Sequence, residues 1–173
     1  SRRVGVVGLG AGTLTAYAWK DDTWVFYELD PTVEQVARKW FTFLSECPAT
    51  VDVRTGDARL TMERESDQQF NILILDAFSS GSIPWHLLTR EAFALYKRHI
   101  VKGGIIAVHA SNQWLDLRGV IAASGASAGF TRARVFEDFP RENQQPRCIA
   151  STWVLLCEEG GAFDQSKLRD LGI

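Results

Sequence analysis

Cysteine is scarce in this chain, a basic excess is missing, and no apolar run is long. Cys47, Cys148 and Cys157 are the three cysteines in 173 residues. An odd number with no C-x-x-C spacing argues against both a disulfide framework and a zinc knuckle, and a reducing compartment is the simplest fit. Charge excludes a second class of protein. The 19 Lys+Arg stand against 21 Asp+Glu, a formal net charge of -2, so nothing draws a phosphate backbone and nucleic acid is not an expected partner. The apolar runs NILILDAF and GGIIAVHA are each interrupted within eight residues. A membrane helix needs roughly 18 to 20, so no membrane insertion by this chain is expected. Internal repeats and low-complexity tracts are absent as well. What remains is a chain that is 46% hydrophobic, enough at this length for one domain spanning 1–173 that buries roughly 70% of its unfolded surface. Six tryptophans are many for this length, and aromatic side chains line binding clefts as well as cores.

Strand and helix patterns alternate along the chain. The apolar run Val4 to Leu9 reads as a buried strand that begins almost at once after Ser1-Arg2-Arg3, as in a clipped or minimal core. A glycine-rich turn at Gly8 to Gly12 follows, then a short helix over Thr13 to Trp19 and an aromatic strand over Thr23 to Leu29. Asp30-Pro31 opens a helix, with Asp30 as N-cap and Pro31 at the first helical position, where its missing N–H costs nothing. Val33, Val36, Ala37, Trp40, Phe41 and Leu44 recur at helical spacing and predict one apolar face. Strands are expected near Val51 to Arg54, Phe70 to Asp76, Ile105 to His109, Arg132 to Phe136 and Thr152 to Cys157. Helices are expected after Gly56-Asp57-Ala58, in helical material that begins at Pro84 and Thr89 and runs through Tyr96 and His99, and over Leu115 to Ser127, with a further short one in the tail from Phe163 to Leu171. The loops SSGS and PRENQQP are read as surface loops. Strands that are apolar throughout and alternate with helices indicate an α/β fold, a doubly wound, mostly parallel sheet covered on both faces. The last two strands are joined by a polar loop too short for a crossover helix, so they should pair antiparallel.

In such a sheet ligands bind beyond the carboxyl ends of the strands, which directs attention to the residues that follow them. VVGLGAGT carries Gly8, Gly10 and Gly12; glycines every second residue let backbone approach a ligand closely, and a tight strand-helix turn is the plainer reading. A dinucleotide fingerprint would want its third glycine at position 13, where Thr13 stands. Glu28 and Asp30, about twenty residues on, close the second strand, and an acid there can accept both hydroxyl hydrogens of a ribose. Asp30 doubles as a helix cap. Glu28 ends a strand of Trp, Val, Phe and Tyr, and its carboxylate needs a partner that a ribose diol would supply. Asp57 after the third strand suits either an adenine amine or a helix cap. Glycine loop, ribose acid and adenine acid in this order indicate an adenosyl ligand. Asp76 closes the strand of Ile72 to Leu75 and is the candidate catalytic carboxylate, able to take a proton from an amine nucleophile or to hold a cationic one. His86 and His109, near loop and strand ends, are substrate-pocket candidates with an ordinary structural alternative. Trp85 and Trp114 follow strands on the same side and are expected either to wall an acceptor pocket or to plug an open rim.

With these residues in place, the chain resembles the spermidine synthase (polyamine aminopropyltransferase) family on the Rossmann-like class I AdoMet-dependent methyltransferase fold. Within it, the likeness is strongest to the spermidine-synthase-like domain found fused to transporter-like membrane segments. GLGAGTLTAY, FYELDPTVEQVAR, GDARL, LDAFSSGSIPWHLLTREAFALY and HASNQWLDL carry the resemblance, over roughly Val4 to Leu117. It implies a seven-stranded sheet with an antiparallel last strand, decarboxylated AdoMet or AdoMet as co-substrate, no metal, and a small-molecule amine as acceptor. It also implies that Gly8, Gly10 and Gly12 form the nucleotide loop, that Glu28 holds the ribose, Asp57 the adenine, and that Asp76 activates the amine. Two family acids are replaced. The loop reads G-G-G-D-G in the family, and the Asp that grips the aminopropyl ammonium falls on Ala11; the second Asp of D-x-x-D-P, which helps to bind the polyamine, falls on Ser79. The family's N-terminal strand domain has no counterpart in the chain.

Three readings follow: transfer of an alkyl (aminopropyl) group in polyamine biosynthesis, methyl transfer from intact AdoMet, which Ala11 makes easier to accept, and a non-catalytic adenosyl-binding module. A plain NAD dehydrogenase ranks below them, because of the misplaced glycine. The expected address is the cytoplasm, or the cytosolic face of a membrane if a transporter-like segment is attached, and a homodimer is left open.

Overall fold

The computed structural model describes residues 1–77, 83–112, 114–138 and 150–164. Seven strands form one sheet: β1 (Arg3–Val7), β2 (Thr23–Glu28), β3 (Thr50–Thr55), β4 (Phe70–Leu75), β5 (Ile100–His109), β6 (Arg132–Asp138) and β7 (Ser151–Cys157). Their order across the sheet is β3-β2-β1-β4-β5-β7-β6. β1 to β5 pair parallel, and β7 enters antiparallel to both β5 and β6, as the short connection between the last two strands requires. The sequence runs outward from β1 in one direction through β2 and β3, then returns to begin β4 on the other side of β1. That reversal opens a crevice at the carboxyl ends of β1 and β4.

Helices cover both faces. α1 (Pro31–Trp40) lies on one, together with a 3₁₀ turn over Thr13–Tyr17; α2 (Ala58–Arg64), α3 (Arg90–His99) and α4 (Arg118–Ser127) lie on the other. Three helices start where short polar side chains satisfy their first free N–H groups: Asp30 accepts from Thr32 N–H at 2.8 Å, Asp57 from Leu60 N–H at 2.9 Å, and Thr89 from Ala92 N–H at 3.2 Å. The larger core joins Val25, Tyr27, Leu73, Leu75, Ile106 and Val108 of the strands to Met62, Phe93, Tyr96 and Ile121 of α2 to α4. The smaller packs Val4, Val6, Trp24 and Phe26 against Ala37 and Leu44.

Three expectations change. The segment after the glycine loop is a five-residue 3₁₀ turn rather than an α-helix. The continuous apolar face over Val33 to Leu44 is not buried as a unit. α1 stops at Trp40, and of its apolar residues Ala37 alone is fully covered, while Val36, Trp40 and the following Phe41 are 44%, 69% and 42% exposed. β5 begins five residues earlier than its apolar core suggests, because the chain passes through Gly103, at φ 77°, as an irregularity that shifts its register on β4. The SSGS and PRENQQP loops and the tail beyond Asp164 lie outside the described residues.

Two buried ionisable groups show what holds the ends of the elements. Asp22, just before β2, accepts from Arg2 N–H at 2.8 Å and Trp19 N–H at 3.0 Å and pairs with the Arg2 guanidinium, which holds its carboxyl far below the usual carboxylate range. His99, at the end of α3, is fully buried. Its Nδ1 accepts from Gln68 N–H at 3.2 Å and its Nε2 donates to the Met62 carbonyl at 3.0 Å, so the neutral ring is already satisfied. Burial lowers its pKa, and Arg98 beside it acts in the same direction, against the Met62 hydrogen bond and the charges of Asp67 and Glu65. The unfolded chain therefore binds this proton more readily than the folded one. Stability should be level above about pH 6.5, the ordinary histidine value, and should decline as the pH falls below it. Urea midpoints taken across that range should lose part of this slope in His99→Gln; an unchanged slope would remove His99 as the cause.

Candidate active site

The crevice between β1 and β4 is a cavity of about 500 Å³, within the range of small-ligand sites. Its floor is the glycine loop. Val7 C=O accepts from Asp76 N–H at 2.9 Å and Gly8 N–H donates to Tyr27 C=O at 2.8 Å, so the sheet ladder continues into the loop on both sides. Gly8, Gly10 and Gly12 all have positive φ, at 97°, 53° and 82°. The need is sharpest at Gly8, where an added Cβ would stand 2.5 Å from the Asp76 carbonyl oxygen. The loop can pass this close to the candidate catalytic residue only because position 8 has no side chain.

Of the residues singled out in the sequence, Gly8, Gly10, Glu28, Asp57, Asp76 and His86 line the cavity, and so does Asp30. Gly12 does not. It precedes the 3₁₀ turn and faces the Leu44 side chain. Ala11 borders a neighbouring, mostly apolar hollow together with Val36 and Phe41. Ser79 lies outside the described residues. Trp85 and Trp114 do not line this cavity and are 78% and 87% exposed; Trp114 borders a separate, open hollow with Ala110, Asn112 and Arg118. The turn over Trp85–Leu87 buries Leu87 and turns Trp85 outward, edge-on to His86; Trp114 sits on a turn held by the Asn112 side chain. Apolar lining comes instead from Leu29, Val33, Pro84 and Leu87, none of which was read as a site residue from the sequence.

The carboxylates are individually anchored. Glu28, expected to lack a protein partner, has two: Oε2 accepts from Leu9 N–H at 2.9 Å and Oε1 from Asp30 N–H at 3.0 Å. It clasps the first loop to the second, while each oxygen keeps a further lone pair for a ligand. Asp57 caps α2 with one oxygen, and the other stands 3.3 Å from His86 Nε2 on the cavity edge. Asp30 caps α1, and this hydrogen bond to Thr32 N–H lowers its pKa. Asp76 Oδ1 is 2.7 Å from His109 Nδ1. His109 itself does not line the cavity but reaches it through this contact.

Four carboxylates, Glu28, Asp30, Asp57 and Asp76, thus face one cavity whose described lining contains no lysine or arginine. Such a potential attracts a cationic ligand and repels a pyrophosphate, which weighs against a dinucleotide on grounds independent of the glycine spacing.

This strand order, with the glycine loop and strand-end acids at the reversal, defines the class I methyltransferase fold. No family model matches the chain. Among curated proteins, a polyamine aminopropyltransferase of Vibrio vulnificus (strain CMCP6) is 31% identical over 112 residues, covering 62% of this chain and 37% of that protein. A probable polyamine aminopropyl transferase of Bifidobacterium longum (strain NCC 2705) is 26% identical over 109 residues, covering 60% and 23%. The matches span well under half the length of these relatives. Among solved structures, a probable spermidine synthase from Corynebacterium glutamicum ATCC 13032 superposes with a TM-score of 0.74 at 21% identity, over 98% of this chain and 61% of that one. A spermidine synthase in complex with the transition state analogue AdoDATO gives 0.65 at 16% identity, over 90% and 54%. Human methyltransferase-like protein 13 in complex with SAH gives 0.67 at 20% identity, over 91% and 71%. The chain is thus similar to polyamine aminopropyltransferases in sequence and to spermidine synthases in structure, on a class I methyltransferase fold. Among the described residues no helix is long and apolar enough to cross a membrane.

Proposed function

We propose that the chain is a transferase domain that binds an adenosyl sulfonium and transfers its aminopropyl group to an amine. The observation that carries this reading is the single cavity lined by the glycine loop and by Glu28, Asp57 and Asp76, each at the end of a different strand of the sheet. Glu28 has lone pairs left for the two ribose hydroxyls, Asp57 meets the adenine amine beside His86, and Leu29, Val33 and Leu87 enclose the base. The neighbours that hold AdoDATO and SAH support an adenosyl ligand.

Asp76 takes a proton from the acceptor amine and so exposes its nitrogen lone pair. The nitrogen forms a bond to the carbon beside sulfur as the carbon–sulfur bond breaks, and the bonding pair stays on sulfur. The products are an amine lengthened by one aminopropyl group and the neutral thioether methylthioadenosine, with the proton on Asp76 returned to solvent. The acids around the cavity favour both the cationic sulfonium and an acceptor that arrives as an ammonium.

Methyl transfer is the second reading, favoured by Ala11. No carboxylate stands at that position to grip an ammonium or to reject the carboxylate of intact AdoMet. Mass spectrometry after incubation with decarboxylated or intact AdoMet and a panel of diamines separates the two. The primary reading predicts an aminopropylated amine and an equal amount of methylthioadenosine; methylated amine from intact AdoMet alone would replace it with the second.

A further inference from the structure

We propose that His109 is the positioning residue of Asp76, kept in its Nδ1–H tautomer by that carboxylate, bonded at Nε2 by Ser111 and stacked flat by Trp153. The inference rests on the proposed role of Asp76 but assigns two residues, Ser111 and Trp153, that the reading so far leaves without a function.

The register of three strands assembles the group. β4 and β5 pair in step up to Leu75 opposite Val108, so the next residues along, Asp76 and His109, meet at 2.7 Å. On its other side His109 pairs with Trp153 of β7, and the two rings lie 4.5 Å apart at an interplanar angle of 7°. Beyond the strand end, Ser111 Oγ is 2.9 Å from His109 Nε2 and accepts from Thr152 N–H at 2.8 Å.

Hydrogen-bond chemistry then fixes the protons. An ionised carboxylate only accepts, so the ring nitrogen facing Asp76 carries a hydrogen. A neutral imidazole has one such hydrogen, which leaves Nε2 as an acceptor. Ser111, whose oxygen already takes the Thr152 N–H, supplies its own hydroxyl hydrogen to that nitrogen. The chain of donors runs Thr152 to Ser111 to His109 to Asp76. It occupies Oδ1 and fixes the carboxylate plane, so that Oδ2 is the oxygen left for an acceptor amine. A histidine needed only for packing would be satisfied among backbone groups, as His99 is. His109 is satisfied instead by a carboxylate that lines the cavity. Ser111 is read as an orienting group and not as a nucleophile, because it does not line the cavity and its oxygen is already held by Thr152.

Two measurements test this. Long-range proton–nitrogen NMR of ring-labelled histidine in the whole chain should show His109 with Nδ1 protonated and Nε2 bare, assigned with His86→Asn and His109→Asn. Ser111→Ala should leave Nδ1 protonated, because Asp76 still accepts from it, and should move the Nε2 resonance toward that of a nitrogen with no hydrogen-bond donor. An Nε2–H tautomer in the unaltered chain, or no response to Ser111→Ala, overturns the assignment, and neither result depends on any activity. The second measurement is kinetic. His109→Ala should lower kcat for aminopropyl transfer by roughly 10- to 100-fold, the usual cost of removing a residue that orients a working side chain, with KM for both substrates little changed. His109→Asn, whose amide can replace the Nδ1–H donor, should recover most of the loss. A His109→Asn variant as poor as His109→Ala, or a loss that falls on KM alone, would make His109 a structural residue. Absence of turnover in the parent would count against the transferase reading and leave the NMR result to decide the tautomer.

Discussion

Asp76→Asn should reduce aminopropyl transfer by roughly 10²- to 10⁴-fold, the range for loss of a general base, while the adenosyl ligand binds nearly as well as before. The substitution preserves shape, and the amide oxygen can still accept from His109 Nδ1–H. What disappears is the capacity to take a proton from the amine and the negative charge that attracts it as an ammonium. Product formation under single-turnover conditions, with ligand affinity measured separately, isolates this step from binding. Turnover within a few-fold of the parent would show that another group, or none, removes the proton, and Asp76 would lose its catalytic role.

Gly8→Ala should destabilise the chain by about 3 kcal/mol or more, from overpacking and a strained backbone angle together. The added methyl would meet the Asp76 carbonyl oxygen at 2.5 Å and its carbon at 3.0 Å, both backbone atoms that no rotamer change can move, at a φ of 97°. Relief requires β1 and β4 to part at their carboxyl ends, which is where Asp76 is presented. Gly10→Ala is the control. Its methyl meets nothing within 4 Å and its φ of 53° lies in the ordinary left-handed region, so its cost should stay near 1 kcal/mol. Urea unfolding of the two variants should therefore separate them clearly. Equal losses would mean that backbone angle alone, and not the approach to Asp76, explains the glycine at position 8.

Much of the fold was legible because its signals are local. Asp30-Pro31, Asp57 and Thr89 cap helices where the sequence places helix starts, and the short link between the last two strands dictates their antiparallel pairing. Where a residue's environment depends on distant neighbours, the sequence was a poorer guide. The apolar spacing of Val33 to Leu44 is real, yet it does not reveal that α1 ends at Trp40 and leaves that side chain in solvent. Strand-end position suggested cavity roles for Trp85 and Trp114, but a 3₁₀ turn and an Asn112-stabilised turn direct both outward. Glu28 was read as a carboxylate in want of a partner; its backbone partners lie at Leu9, in another loop, and at Asp30, in a turn too short to carry a pattern. The contact of Asp76 with His109 depends on register between strands whose partners lie more than thirty residues apart, so neither histidine nor serine could be ranked from spacing alone.

Titration calorimetry with decarboxylated AdoMet, intact AdoMet and methylthioadenosine tests most directly whether the cavity takes a cationic adenosyl ligand. The four carboxylates predict micromolar binding of decarboxylated AdoMet, tighter than the neutral thioether, and a loss of roughly tenfold or more in Glu28→Ala when two ribose hydrogen bonds to a charged group are removed. Failure of all three ligands to bind below millimolar concentration, or binding that Glu28→Ala leaves unchanged, would contradict it.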